Sequence, residues 1–446
     1  MSVSEGLSSA PAGFSRREFV KTAAVAGAAL ATPSLLVARS AWAGGADTLK
    51  LGLIGCGGRG SGAAIQALAA DPGTVLWSMG DVFKDRIDSA HKSIVEEQGE
   101  SAKERILVAD DRRFVGFDSY QQVIDSGVDV VLLTSYPCFR PAHLRAALAS
   151  GKHVFAEKPV AVDGPGIRSI LESAKVAKDK GRACLIGFCW RYNASMREAF
   201  TRVQAGVLGD VTSVHTTYHT GTLSKRPRKP EWSDLEFQMR NWWHFTWISG
   251  DHLVEQAVHS VDRMAWAMGD RIPKRVQCLG GRAARSGPEH GNVFDHFSAI
   301  YEYENGVRTH HSCRQIDGTP QDNSDYIYGT KGWGSVNGWS ALFPFKDYSG
   351  GTLWDGKGSA DDTSRMYFDE HKELFASIRA GKPVNDCERG ARSCLMAIMA
   401  RMAAYTGQTV TWEQALNSQE SLVPEKLEWG PMATPAVAVP GQTKFA

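Results

Sequence analysis

The chain has 446 residues, 43% of them hydrophobic, with 50 Lys and Arg against 49 Asp and Glu and a formal net charge of +1. That balance excludes a disordered, collagenous or coiled-coil chain, and the missing positive excess argues against a nucleic-acid partner. The length suits two or three domains with large cores.

The first segment reads as an address. Ser15-Arg16-Arg17-Glu18-Phe19-Val20-Lys21 precedes a mildly apolar run, Thr22 to Ala38, and then Ala41-Trp42-Ala43. A charged start, a short apolar middle and small residues at a cut mark a secretory signal. The adjacent arginines specify the twin-arginine route. Residues 1–43 are therefore expected to be removed, leaving a periplasmic protein exported already folded. Gly27 and Pro33 interrupt the apolar run, and no cysteine sits at the cut. Neither a spanning helix nor a lipid anchor is expected to remain. Removal of the leader leaves 46 basic against 47 acidic residues, a net charge of −1. The eight cysteines form no C-x-x-C pair. In a chain folded in reducing cytosol they are expected to stay as buried thiols, with no obligatory disulfide.

Leu49 to Ile54 reads as a strand that runs into Gly55-Cys56-Gly57-Gly58-Arg59-Gly60, followed by a helix over Ser61 to Ala70. The next strand, Thr74 to Met79, leads to Asp81, 21 residues beyond Gly60. Gly55 suits the tight turn, Gly57 leaves the backbone open to a pyrophosphate, and Gly60 lets the helix approach the strand. The helix start offers free N–H groups and a positive dipole end to phosphates. Asp81 can accept from ribose hydroxyls and disfavours a 2′-phosphate, so the cofactor expected is NAD, with NADP kept open by Lys84 and Arg86. The expected cofactor contacts are Gly55, Gly57, Gly58, Arg59, Gly60, Asp81, Thr134, Pro137, Glu157 and Lys158.

Strands at Asp129 to Thr134, His153 to Glu157 and Ala183 to Cys189 alternate with helices at Ala142 to Ala149 and Asp163 to Lys180. This predicts a doubly wound parallel sheet over residues 48–190. Lys158 leaves a strand end between Glu157 and Pro159, where a cation can polarise a substrate hydroxyl. Spacing alone reads equally well as a surface lysine.

Residues 191–430 change pattern. Val211 to Thr220 alternates, and Phe297 to Tyr303 and Val307 to Arg314 flank the turn signal Asn305-Gly306. A second α/β domain with a large, mostly antiparallel open sheet is expected. Glu388 to Tyr405 reads as a helix, Thr411 to Gln414 as a capping box, and residues 431–446 as an irregular tail. One helix is expected over His252 to Met268. On it Glu255 and His259 stand four apart with Asp262 one turn on, so the carboxylate can orient the imidazole as a proton acceptor. A solvated ion-pair face fits the same spacing. No zinc ligand set is legible, and no metal is expected. Trp242, Trp243, Phe245 and Trp247 could stack on pyranose faces or simply pack.

Together the glycine loop, His153-Val154-Phe155-Ala156-Glu157-Lys158-Pro159, Phe188-Cys189-Trp190-Arg191-Tyr192-Asn193 and the segment Gly250 to Asp262 resemble the Gfo/Idh/MocA oxidoreductases. The resemblance runs from about Leu49 to Ser418. It implies a catalytic Lys158, a proton-accepting His259 oriented by Glu255, and a pocket lined by Arg191 and Tyr192; Trp243 and Asp262 are expected as further substrate contacts. Arg140 stands where many relatives have His, and Glu255 where many have Asp. The implied activity is hydride transfer from a secondary hydroxyl of a sugar, glycoside or cyclitol to a tightly held nicotinamide cofactor, in a homodimer or homotetramer. Two alternatives remain at this point: an NAD-dependent glycoside hydrolase working by transient C3 oxidation and elimination, and a non-catalytic NAD-binding sensor.

Overall fold

The computed structural model describes residues 48–339, 344–356 and 365–444. The expected leader, residues 1–43, lies outside them. Apolar runs that are buried on both faces make the strands of a parallel sheet. Val130–Leu133 is buried at every position. The alternation gives β1 (Leu49–Ile54), α1 (Gly58–Ala70), β2 (Thr74–Asp81), α2 (Lys84–Gln98), β3 (Arg113–Val115), α3 (Ser119–Asp125), β4 (Val130–Leu133), α4 (Arg140–Ala149), β5 (His153–Glu157), α5 (Gly164–Asp179) and β6 (Cys184–Gly187). The six strands pair in the order β3-β2-β1-β4-β5-β6, all parallel. The order reverses between β1 and β4, so the crevice at their C-terminal ends is where such a sheet receives a ligand. Helix α1 begins at Gly58 rather than at the expected Ser61, with Gly57 extended as its N-cap.

A 3-10 turn at Cys189–Tyr192 leads into α6 (Ala194–Gln204), β7 (Val211–Thr220), α7 (Asp234–Arg240), α8 (Thr246–Ser249), α9 (His252–Glu255) and α10 (Val258–Ala267). Then come β8 (Arg275–Gly281), β9 (His296–Glu302), β10 (Arg308–Gln315), β11 (Ser324–Gly329), β12 (Gly332–Asn337), β13 (Phe345–Asp347), β14 (Thr352–Trp354), α11 (Met366–Arg379), α12 (Cys387–Thr406), β15 (Val410–Thr411) and α13 (Trp412–Asn417). The second sheet has nine strands in the order β14-β13-β12-β11-β7-β10-β9-β8-β15. It is antiparallel except where β7 meets β10. The expected hairpin at Asn305-Gly306 joins β9 to β10 with Gly306 at φ 79°, and the capping box at Thr411 and Gln414 is present.

Burial alternates along β9 and β10, so one sheet face is covered and the other is open. The covered face meets α10 and α12 in a core that also reaches back to Leu133 and Ile186 of the parallel sheet. The described residues from Thr48 onward therefore form one compact unit.

Two expectations are corrected. Cys184 and Cys387 are joined, with Cα atoms 6.3 Å apart, whereas the other six cysteines are buried thiols. The segment before α12 runs alongside β6, with Cys184 N–H donating to Val384 O at 2.8 Å. That backbone pairing brings together thiols 203 residues apart, a long-range contact that motif spacing cannot show. The helix expected over His252 to Met268 is also broken: α9 ends at Glu255 and α10 starts at Val258.

Candidate active site

At the mouth of the parallel sheet, Gly55 has φ 95°, and a Cβ there would lie 2.4 Å from Ser135 N. A Cβ on Gly60 would lie 2.0 Å from Gly55 O. Both glycines are thus required by close backbone approach. Gly57 and Gly58 differ, since a Cβ on either would meet no protein atom within 4 Å. The room in front of them is open, as a bound ligand would require. No side chain caps the start of α1, so its first N–H groups face that room and suit a pyrophosphate. Asp81 accepts from Cys56 N at 2.6 Å and from Phe83 N at 2.9 Å. Burial raises its pKa, and those two N–H donors oppose the rise. A carboxylate keeps further lone pairs for ribose hydroxyls. The loop thus fits the adenosine diphosphate part of a dinucleotide.

Other expected cofactor contacts are committed elsewhere. Arg59 donates to Glu157, to Gln66 Oε1 at 2.7 Å and to Glu370 Oε1 at 3.1 Å. Its guanidinium lies 4.7 Å from the Tyr367 ring centroid. It braces the glycine loop against β5 and α11 rather than facing the phosphates. Thr134 donates to Gly55 O at 2.5 Å and so closes the β4 end onto the loop. Pro137 is buried in a 3-10 turn.

Lys158 leaves β5 through a cis bond to Pro159. Its Nζ donates to the Glu255 backbone O at 2.5 Å and lies 3.6 Å from Glu255 Oε1. The sheet edge and the broken helix are thereby joined at one point. Burial raises the Glu255 pKa, opposed by the charges of Lys158 and Arg140. Arg140 is buried, donates to Pro159 O at 2.6 Å and has its pKa lowered to about 10 by burial. It therefore supports the Lys158-Pro159 turn from behind.

His259 opens α10 beside this pair. Burial, then the positive charges of Lys158, Arg263 and Arg59, hold its pKa well below 6.5. The ring is neutral at pH 7. Trp190 meets it edge-on at 4.3 Å and Phe188 at 6.0 Å. Neither ring nitrogen has a hydrogen-bond partner among the described residues. The expected orienting bond from Glu255 to His259 is not formed. The helix breaks between them, and the Glu255 carboxylate turns to Lys158. Aromatic edges set the imidazole instead. The break falls at Gln256 and Ala257; Asp251 caps the start of α9 with a φ of 78°, strained for a non-glycine residue. The strain is held by four contacts to its carboxylate, from His252 N at 2.5 Å and Nδ1 at 3.1 Å, Phe294 N at 2.8 Å and Tyr405 Oη at 2.5 Å.

The structure does not add Arg191 and Asp262 to this group. Arg191 forms a two-pronged bond to Asp262 at 2.8 and 2.9 Å and reaches Asp270 at 2.6 Å. Asp262 also accepts from Ser393 Oγ at 2.7 Å. Tyr192 is buried, with the Arg197 guanidinium 4.8 Å from its ring centroid. Phe245 and Trp247 are core residues. Trp242 and Trp243 stack on each other at 3.8 Å and remain half-buried. Motif reading named Arg140, Asp251, Phe188 and Trp190 but gave them no role at the site. Their signal was proximity in the fold, apart from Asp251, which directly follows Gly250.

Residues 49–188 match the family model described as an oxidoreductase family, NAD-binding Rossmann fold. Residues 196–335 match the GFO/IDH/MocA C-terminal domain. The chain belongs to the Gfo/Idh/MocA family. It is 30% identical over 181 residues to inositol 2-dehydrogenase 3 of Saccharopolyspora erythraea, covering 41% of this chain and 46% of that protein. It is 26% identical over 200 residues to 2,7-anhydro-N-acetylneuraminate hydratase of Escherichia coli (strain K12), covering 45% of this chain and 49% of the relative. The matches thus span about half the length of these curated relatives. Among solved structures, levoglucosan dehydrogenase in complex with NADH and levoglucosan aligns with a TM-score of 0.63 at 19% identity, over 82% of this chain and 99% of that one. Aldose-aldose oxidoreductase from Caulobacter crescentus, complexed with glycerol, aligns with the same TM-score, identity and coverage. At such identities these two structures show the fold.

Proposed function

We propose that this protein is an NAD-dependent oxidoreductase acting on a secondary hydroxyl of a sugar, glycoside or cyclitol. The observation that carries the reading is His259: a neutral imidazole with no hydrogen-bond partner among the described residues, within the field of Lys158 at the crevice of a nucleotide-binding sheet. The glycine loop and Asp81 would hold NAD, which when bound would supply the hydride acceptor. His259 takes the substrate hydroxyl proton. Lys158 stabilises the negative charge that develops on that oxygen, and its charge also favours the neutral, proton-accepting form of His259. Glu255 holds the Lys158 ammonium in place through its backbone and its carboxylate. Asp81 favours NAD over NADP. The half-buried Trp242–Trp243 stack offers a flat apolar face suited to a pyranose.

A second reading, redox-neutral cleavage through transient oxidation, draws support from one relative's being named a hydratase. The same residues would serve it. Lys158 and His259, together at this crevice, speak against a purely sensory role. We also read residues 1–43 as a twin-arginine leader, from Arg16-Arg17 and Ala41-Trp42-Ala43. Folded export would suit a tightly held cofactor. The open face of the nine-stranded sheet exposes 79% of Leu279 and 38% of Tyr328, which supports association of subunits through that face. The reading is tested by incubating the purified protein and NAD with a panel of cyclitols, aldoses and glycosides. A product lighter by two hydrogens, formed with reduced nicotinamide, is the expected result. A cleaved glycoside without net reduction would select the second reading.

A further inference from the structure

The C-terminal segment after α13 returns to the parallel sheet. Glu420 pairs with Arg401 at 2.8 Å, and Leu422 N–H donates to Asp163 Oδ2 at 2.9 Å. Leu422, Val423, Leu427 and Met432 then pack against a cluster containing Phe83, Phe139 and Phe245. The segment is also sewn to α7. Leu235 N–H donates to Gly430 O at 3.3 Å, Met432 N–H to Asp234 Oδ2 at 3.2 Å, and Gln238 Nε2 to Met432 O at 2.8 Å. Residues 419–432 and α7 thus form one strap, whose outer segment lies beyond the end of the C-terminal family model at residue 335.

The strap covers a specific place. Trp429 lies 5.6 Å from Phe83 and 5.0 Å from Phe117, ring to ring. Phe83 follows Asp81 at the end of β2, and Phe117 follows β3. Arg240 of α7 lies over the Phe83 ring at 4.1 Å and pairs with Asp85 at 3.1 Å. In a sheet of this order, an acid at the β2 end takes the ribose, and the base attached to that ribose lies beyond it. Trp429 packs on the two aromatic residues that follow β2 and β3 there. It is packed on one side against two aromatic rings, yet 48% of its surface is exposed. A large aromatic residue fixed this way and left half open suits a flat heterocycle.

We propose that residues 419–432 form a strap over the adenosine end of the dinucleotide, with Trp429 presenting its free face to the adenine. This deepens the cofactor reading above and rests on it. Arg240 anchors the strap to the loop that follows Asp81. Retention of the cofactor then depends on a residue that takes no part in the chemistry at Lys158 and His259.

The test is NADH binding to the purified full-length chain, read by nicotinamide fluorescence, beside binding of reduced nicotinamide mononucleotide, which lacks adenosine. W429A is expected to weaken NADH about ten-fold and to leave the mononucleotide unchanged. W429F is expected to restore most of the affinity. As a second readout, W429F should lose a distinct share of the tryptophan quenching that NADH causes in the unaltered protein. Wild-type NADH affinity in W429A would overturn the strap proposal, as would equal loss of NADH and mononucleotide. Failure of the unaltered protein to bind NADH at all would overturn the dinucleotide reading itself.

Discussion

The first half of helix α10 carries two ionisable side chains of similar burial and opposite fates, His259 and Asp262. His259 and Asp262 are three residues apart, and each is at most 8% exposed. Asp262 is saturated by Arg191, Ser393 and Arg389, and the Arg191 charge is the main cause holding its carboxyl below the usual range against the cost of burial. His259 has no such partner and is kept neutral by burial and the cations around it. A fully bonded buried ion has nothing left to offer a substrate, whereas an unbonded neutral base does. Burial alone would not separate them; leftover hydrogen-bonding capacity does.

The contrast can be broken from either end. Replacing His259 with Ala should have the largest effect, a loss of about 10²–10⁴ in turnover with NAD binding and melting temperature retained. Retained turnover in H259A would remove the residue from the proton transfer. Replacing Asp262 with Ala should do the reverse, costing about 3–5 kcal/mol of stability by leaving Arg191 buried without its main partner. Urea unfolding followed by circular dichroism reads that loss, and an unaltered midpoint would contradict the structural role.

The pH dependence extends the same comparison to histidines outside the site. Burial lowers the pKa of His143, His244 and His311 to about 3 each. The unfolded chain binds those protons near pH 6.5 and the folded chain does not, so their contribution is whole above 6.5 and is lost as pH falls toward 3. Each should add a slope of up to about 1.4 kcal/mol per pH unit. Chemical denaturation at several pH values measures it, and stability rising on acidification through that window would contradict the assignment. The smallest effect is expected at Trp243. Its replacement by Ala should raise KM by roughly ten-fold or less and leave kcat nearly unchanged, as loss of a ring face worth about 0.5–1.5 kcal/mol implies. A fall in kcat alone would place Trp243 in the chemistry instead.

Much of this was legible from residue order, for physical reasons. The strand, glycine loop, helix and Asp81 lie within 33 residues, from Leu49 to Asp81, so local spacing carries their geometry. Lys158 was legible as a strand-end lysine, but its role came from the family resemblance. What escaped depends on contacts across the chain. Arg59 meets Glu370 over a separation of 311 residues, and Cys184 meets Cys387 over 203. The break before α10 was hidden because the run from His252 to Met268 keeps helical periodicity. The interruption falls at Gln256 and Ala257, two residues whose types carry no helix-breaking signal. Arg191 misled for the opposite reason: a pocket-lining motif looks the same in sequence whether its charge faces substrate or a buried aspartate.

The most direct measurement is a single turnover with NAD-loaded protein and a reactive polyol, following the nicotinamide absorbance in the unaltered chain, H259A and D262A under conditions where all three are folded. The structure predicts reduced nicotinamide in the unaltered chain and in D262A, with H259A slowed by about 10²–10⁴. Equal rates in H259A and the unaltered chain, or no reduced nicotinamide with any polyol, would contradict it.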